Sequence, residues 1–395
     1  VRTFWTRWAG TVSLLVTLAW GGSAEARDVP DALRELVRRG ATEIVLRSPG
    51  RIPLVPNALP GSPGPYVRVR LNGRGPFLFV FDTGATVTIL DAETARRAGI
   101  PVVYHRERNS IVKIHTADFG DVVLRDQYAF MNPGLKEGVG VDGVLGFNAF
   151  GTKPVRIDGA ALTVYDVLPA TGQAVRVPLL EDHSGWRLTA VPLIPLTAQN
   201  TTIPVLIDTG DDGWIDLLPD DVKDVPLETA LRPAHVEYNP NTGETRTMLG
   251  RAAAPFAVAG TTVKHPVFRT DPALPVSDIG WPFLAQLFPI VFDRAHRAVY
   301  FTSANRPAVA PPLRTLPFRI RFRGGVARVS DIVPDTPVAG DIAVGDRIEA
   351  IGDRAASGYD AGTFDALLQR SATVRVRWIH DGISVTRDIP VLSLP

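Results

Sequence analysis

The sequence contains no cysteine. Disulfides, zinc–thiolate sites and thiol nucleophiles are therefore excluded, and the 395-residue chain must draw its stability from hydrophobic cores. Histidine is sparse, at seven, and no two histidines stand four apart as in a His-x-x-x-His zinc helix. A Gly-x-Ser-x-Gly elbow for a serine nucleophile is also missing. Only five of the 42 basic residues are lysine, a bias of base composition that carries no functional weight. An excess of one charge sign is lacking too, with a formal net charge of +1. No strong field is available to draw nucleic acid or an anionic surface. Long helix-forming stretches are few, because 35 Gly and 34 Pro divide the chain into short runs. That pattern predicts a mainly β architecture of many short strands.

What is present begins at the N-terminus. Arg2 and Arg7 flank and precede the apolar stretch WAGTVSLLVTLAW, and Ala24 and Ala26 supply a small-x-small cleavage pattern. The run is shorter than the roughly 20 residues of a spanning helix, so residues 1–26 read as a signal peptide. The expected location is periplasmic or secreted, with no stable membrane span after cleavage. Losing Arg2, Arg7 and Glu25 brings basic and acidic residues to equality. An N-terminal segment, 27–50, follows, with a helix expected over PDALRELVRRG (30–40).

The chain then repeats itself. FLFVFDTGATVTIL in the first half matches PVLIDTGDDGWIDL in the second, and DGVLGFNAFGTKPVRIDGAALTVYD (142–166) matches SDIGWPFLAQLFPIVFDRAHRAVYF (277–301). Gly84 to Gly146 is 62 residues and Gly210 to Gly280 is 70. Gly146 to Asp158 is 12 and Gly280 to Asp293 is 13. Shared order, spacing and side-chain class predict two homologous lobes, 51–168 and 186–303, joined by a linker at 169–185. Asn72-Gly73 marks a hairpin turn, and EYNPNTGETR (237–246) reads as a second hairpin. Helices are expected at AETARRAG (92–99) and as short turns at WPFLAQL.

Asp82 and Asp208 each end an apolar strand, where a carboxylate loses hydration. One Asp-Thr-Gly is ordinary turn chemistry. Two, in lobes related by a pseudo-twofold axis, would bring both loops to that axis. Two carboxylates about 3 Å apart share one proton and titrate as a pair. The ionised member can draw a proton from a water held between them, and the protonated member can hydrogen-bond a scissile carbonyl. Thr83 and Thr209 are placed to tie the loops together, and Gly84 and Gly210 let backbone approach the carboxylates. This chemistry calls for no cofactor and no metal.

In these motifs the chain resembles the aspartic proteases of the pepsin and retropepsin clan. Asp82-Thr83-Gly84-Ala85 followed by Val144-Leu145-Gly146 looks most like the bacterial retropepsin-like group. The resemblance covers about 51–303. It implies a closed β fold with a substrate cleft between lobes, a covering hairpin flap, and hydrolysis of peptide or protein substrates through Asp82 and Asp208. One chain supplies both halves of the site, so a monomer is expected. Three positions depart from the pattern. Asp211 stands where the family has Ala, Ser or Thr; it is expected to turn outward, whereas an inward charge would raise the proton affinity of the dyad by on the order of one unit. Asp278 occupies a usually apolar position. The flap region YHRERNSIVKIHTADFG (104–120) lacks a Gly-rich tip, and Tyr104, His105 and His115 are expected at the surface.

A Pro- and Ala-rich linker, 304–311, precedes a change of character. VARVSDIVPDTPVAGDIAVGDRIEAIGDRAA, then FDALLQR, then a hairpin at Asp381-Gly382 read as strand, short apolar helix, strand, helix and closing strands. Residues 312–395 resemble a PDZ domain, which implies docking of an extended peptide ligand by strand addition. The carboxylate-binding loop of that family aligns with Thr315-Leu316-Pro317-Phe318, where Pro317 has no N–H to donate. The function expected is an exported aspartic endopeptidase. The alternative is a catalytically inactive relative acting as a peptide-binding or envelope scaffold.

Overall fold

The computed structural model describes residues 30–393, except 48, 57, 60–63, 107–108, 181–190, 212, 229, 240–242, 273, 303–313, 324–325, 334–335, 337, 339–340 and 360. The expected signal peptide 1–26 and the linker 304–311 lie outside the described residues. Strands account for 49% and helices for 11%, so the chain is mainly β, consistent with an acid-protease fold.

The apolar runs that end at the two Asp-Thr-Gly motifs form central strands, Arg74–Asp82 and Thr201–Ile207. Each is buried on both faces toward its C-terminal end, which accounts for continuous rather than alternating hydrophobicity. The first opens with the predicted turn: Asn72 and Gly73 both take positive φ, 49° and 77°, and Tyr66–Leu71 runs back antiparallel to Arg74–Asp82.

Around each central strand the neighbours repeat. Gly143–Gly146 pairs parallel with Arg74–Asp82, setting Val80 opposite Val144 and Asp82 opposite Gly146. Ile89–Asp91 then pairs antiparallel to Gly143–Gly146 and parallel to Val122–Asn132. In the second half, Asp278–Ile279 pairs parallel with Thr201–Ile207, Ile215–Leu217 pairs antiparallel to Asp278–Ile279, and Val267–Thr270 runs parallel to Ile215–Leu217. The eight-stranded and nine-stranded sheets thus share one strand order about their Asp-Thr-Gly turns. Pairing of Asn109–Asp118 with Val122–Asn132 closes the first of them on itself.

The two C-terminal hairpins of the repeat meet in a six-stranded sheet. Val155–Asp158 with Ala161–Val164, and Ile290–Asp293 with Ala298–Phe301, are joined by pairing of Ile157 with Ile290 and Val155 with Phe292. Gly50–Pro53 adds to one edge. Val175–Pro178 adds to the other, so part of the expected 169–185 linker is a strand. One apolar cluster runs through both sheets and this joint, with Phe79, Phe81, Phe147, Phe150, Ile207, Phe268, Phe283, Phe292 and Phe301 among its members.

The N-terminal segment is part of the first sheet's packing. The helix Asp31–Arg39 buries Val37 among Tyr66, Val80, Ala85 and Val144, and Asn148 Nδ2 donates to the Val37 carbonyl at 2.7 Å. Glu43–Leu46 pairs antiparallel with Val122–Asn132. The expected helix after the first motif spans Ala92–Ala98. Asp91 caps it, accepting from Thr94 N at 3.0 Å, and Gly99 ends it in the left-handed conformation at φ 64°.

Residues 314–393 build a separate core around the buried Trp378, with Phe318, Val329, Ile348, Ile351, Leu368, Val376 and Ile389. Its sheet runs, in order, Phe318–Arg323, Val326–Ile332, Arg347–Ile351, Thr373–His380 and Ile383–Pro390, with a helix at Ala361–Arg370. Asp381 and Gly382 make the predicted hairpin turn, at φ 48° and 80°. The short apolar helix expected near 336–343 is instead a turn at its described residues, with Asp341 N donating to the Val338 carbonyl.

Candidate active site

The two Asp-Thr-Gly turns meet. Thr83 N donates to Thr209 Oγ1 and Thr209 N donates to Thr83 Oγ1, both at 3.0 Å. Each hydroxyl in turn donates across the joint. Thr83 Oγ1 reaches the Ile207 carbonyl at 2.5 Å and Thr209 Oγ1 the Phe81 carbonyl at 2.7 Å. All four groups are buried, so the exchange satisfies polar atoms that water cannot reach. Threonine is suited to this because one hydroxyl accepts from one strand end while donating to another.

That reciprocal lock brings the carboxyls together. Asp82 and Asp208 are both fully buried and within hydrogen-bonding reach of each other. Asp82 Oδ1 accepts from Ala85 N at 3.0 Å. Asp208 Oδ1 accepts from Gly210 N at 2.8 Å and Asp211 N at 3.1 Å. The glycines are required by the close approach. A Cβ on Gly84 would stand 2.3 Å from Asp208 Oδ2, and one on Gly210 would stand 2.4 Å from Asp82 Cγ. The structure therefore brings together every dyad and loop residue singled out in the sequence: Asp82, Thr83, Gly84, Asp208, Thr209 and Gly210.

Burial pushes the Asp82 carboxyl up to about 6, against the opposing pull of its hydrogen bonds with Asp208 and with the Ala85 and Gly84 amides; the nearby Asp211 adds a smaller upward push. Two carboxyls buried face to face favour holding a proton over bearing two charges.

Asp211 does not turn outward. It is fully buried, and its Oδ2 accepts from Gly213 N at 2.8 Å, closing the turn behind Asp208. The expectation of a solvent-facing Asp211 fails because the Asp211 carbonyl accepts from Trp281 N, which draws this part of the turn inward. Two further buried carboxylates, Asp216 and Asp278, stand beside it, and carboxylate oxygens of the three lie within 4.8 Å of one another. Two like charges at 4.8 Å repel by on the order of 3 kcal/mol at an effective dielectric constant near 20. Arg269 is bidentate to Asp216, with Nε at 3.0 Å from Oδ1 and Nη2 on Oδ2. Burial pushes Asp216 up and the guanidinium pulls against it. Asp278 is pushed well above the ordinary carboxylate value, by burial first and then by Asp211 and Asp216.

In the sequence Asp278 stands out only as a departure from pattern, and Asp216 and Arg269 have no role assigned to them. Asp216 carried the same signal as Asp82, a carboxylate inside an apolar run, Ile215-Asp216-Leu217. Outside this centre, His105 and His115 are exposed, His105 with Ser110 Oγ at 2.7 Å and His115 near Asp126. Tyr104 is half-buried against the apolar cluster around Ala85 and Val87 rather than at the surface, because its ring covers that cluster's edge.

Residues 67–149 match a family described as Aspartyl protease. The match spans Asp82-Thr83-Gly84 and Gly146, and supports a protease function for the chain. No curated protein matches the chain.

Proposed function

We propose that the chain is an exported, bilobal aspartic endopeptidase whose dyad is Asp82 and Asp208. The observation that carries this reading is the reciprocal Thr83–Thr209 lock, which seats two buried carboxyls against each other. In the proposed reaction the dyad holds one proton. The ionised carboxylate takes a proton from water as the water oxygen attacks the peptide carbonyl carbon. The protonated carboxyl donates to the carbonyl oxygen. Collapse of the tetrahedral adduct breaks the C–N bond, and a carboxyl proton passes to the leaving amine, which returns the dyad to one proton. Peptide or protein segments are the substrates, and the chain acts as a monomer because it supplies both halves of the dyad.

Two parts of the reading reach beyond this site. Residues 1–26 direct export to the periplasm or beyond. The C-terminal unit is a PDZ-type module that docks a peptide or partner by strand addition. Within it, the Pro317 carbonyl accepts from Val333 N, and Leu316 and Phe318 are buried, so the segment aligned with a carboxylate-binding loop is committed to the module's own packing.

A second reading has one observation in its favour. Both dyad carboxyls are fully buried in this conformation, so a substrate gains access only through a movement that exposes them. A relative that kept the fold and lost turnover would stay closed and act as a peptide-binding scaffold.

Hydrolysis of an unbiased peptide library by the mature protein tests the proposal, run beside Asp82→Asn and Asp208→Asn and with a statine-type transition-state inhibitor. Cleavage that disappears in both variants and is blocked by the inhibitor is the expected result. Cleavage that persists in either variant overturns the shared dyad, and silence of a folded protein at every pH favours the scaffold.

A further inference from the structure

The two halves of the repeat differ in charge at three matched positions. Strand pairing makes Asp82 equivalent to Asp208, so Ala85 corresponds to Asp211 and Val144 to Asp278, each two residues before the shared glycine. Ile89 and Asp216 also correspond, because Ile89 faces Val144 and Asp216 faces Asp278 across the same antiparallel pairing. In the first half these three residues, Ala85, Ile89 and Val144, belong to one buried apolar cluster. In the second half all three are acids, buried and mutually within reach. Three neighbouring apolar positions converted together to carboxyls make a set, not scattered substitutions.

The charges do not balance in that set. Asp216 is committed to Arg269. Asp211 Oδ2 holds Gly213 N. Asp278 Oδ1 is buried with no hydrogen-bond partner among the described residues. The groups facing Asp278 are Asp208 and Asp211 from the turn after Thr201–Ile207, Asp216 from Ile215–Leu217, and Arg269 from Val267–Thr270. Asp271 and Arg319 act on Asp216 from outside the set, and Asp221 accepts from Ser277 Oγ at the residue before Asp278. Among the described residues Arg269 is the cation acting on Asp278, and there a second ionised oxygen would lack both counter-charge and donor.

We propose that Asp278 is a positioning residue that stands as the neutral acid behind the second Asp-Thr-Gly turn, where its proton relieves Asp211 of a second buried charge and lets Asp211 hold the 208–214 turn. The bound species is a proton, and the shape and charge of the turn depend on it. The inference takes the role of that turn from the protease reading, but the protonated group itself does not depend on turnover.

The test uses the mature full-length protein and two readouts that need no substrate. Infrared difference spectra of wild type against Asp278→Asn at neutral pH are expected to show a buried carboxylic-acid carbonyl band that the variant lacks. In urea unfolding between about pH 6 and about pH 8, each extra proton held by the folded state raises the unfolding constant about tenfold per pH unit. Asp278→Asn is expected to remove one such proton's worth of slope. Above about pH 7 Asp82 has given up its proton, so loss of the slope there in Asp278→Asn, with the slope there kept in Asp82→Asn, locates the effect in Asp278 rather than in the dyad. An unchanged slope, or an unchanged acid band, overturns the proposal. So does stabilisation of wild type by millimolar calcium that Asp278→Asn abolishes, since a bound cation would then replace the proton. Should Asp278→Asn fail to fold, Asp278→Ser takes its place. Should neither fold, the wild-type spectrum decides, and the absence of any acid band at neutral pH is the overturning result.

Discussion

At the scale of single residues, the site depends on groups that water cannot reach. Replacing Thr209 by Val removes its donation to the Phe81 carbonyl and its acceptance from Thr83 N. Two buried backbone groups are left without partners, at about 1–3 kcal/mol each. We expect Thr209→Val to lower the urea midpoint accordingly, and Thr83→Val to do the same. A double-mutant cycle should show strong coupling, because both residues serve one network. Gly84→Ala is more severe, since its methyl would occupy the Asp208 carboxylate position; hydrolysis should vanish even where circular dichroism shows folded protein.

The titration of Asp82 belongs to the same scale. Its folded value is raised to about 6 from the ordinary 3.8. For an acid raised in this way, the folded state binds more protons than the unfolded one between those two values. Its stabilising share is complete below the ordinary aspartate value and is lost as pH rises through about 6. The share is on the order of 3 kcal/mol. Asp82→Asn should therefore flatten the fall in stability measured by urea unfolding between about pH 4 and about pH 7. In wild type the dyad loses its acid over the same rise, so kcat/KM should decline above about pH 6.

At the scale of elements, the N-terminal helix is the informative case. Val37 is fully buried, and the helix carbonyls of Val37 and Arg38 accept from Asn148 in the turn after Gly146. That turn also reaches the site, because Phe147 N donates to the Ala85 carbonyl at 2.8 Å. The helix supports the first Asp-Thr-Gly loop from behind. Deleting 27–42 should lower the melting temperature and reduce hydrolysis, whereas a removable pro-segment would raise activity on deletion. Asn148→Ala should cost about 1 kcal/mol, through the buried hydrogen bonds it removes from the Val37 and Arg38 carbonyls.

At the scale of the whole molecule, two separate cores predict two separable units. The cluster around Trp378 shares no residue with the one that runs through both Asp-Thr-Gly sheets. Residues 312–395 expressed alone should unfold cooperatively, which a single urea transition with its own midpoint would show. The full chain should then show that transition beside a second one.

The sequence by itself determined the strands that end in Asp82 and Asp208, the turns at Asn72-Gly73 and Asp381-Gly382, and the repeat. Each of these is written in local chemistry: apolar runs, left-handed turn residues, and spacing. The meeting of the two aspartates was also legible, because a duplicated motif implies a partner. Only the tertiary structure decided the direction of Asp211, the pairing of Asp216 with Arg269, and the isolation of Asp278. Asp211, Asp216 and Asp278 are separated by up to 67 positions and become neighbours only through a parallel and an antiparallel strand pairing. Burial of a charge is a property of what surrounds it in space, and neighbours along the chain do not specify those surroundings.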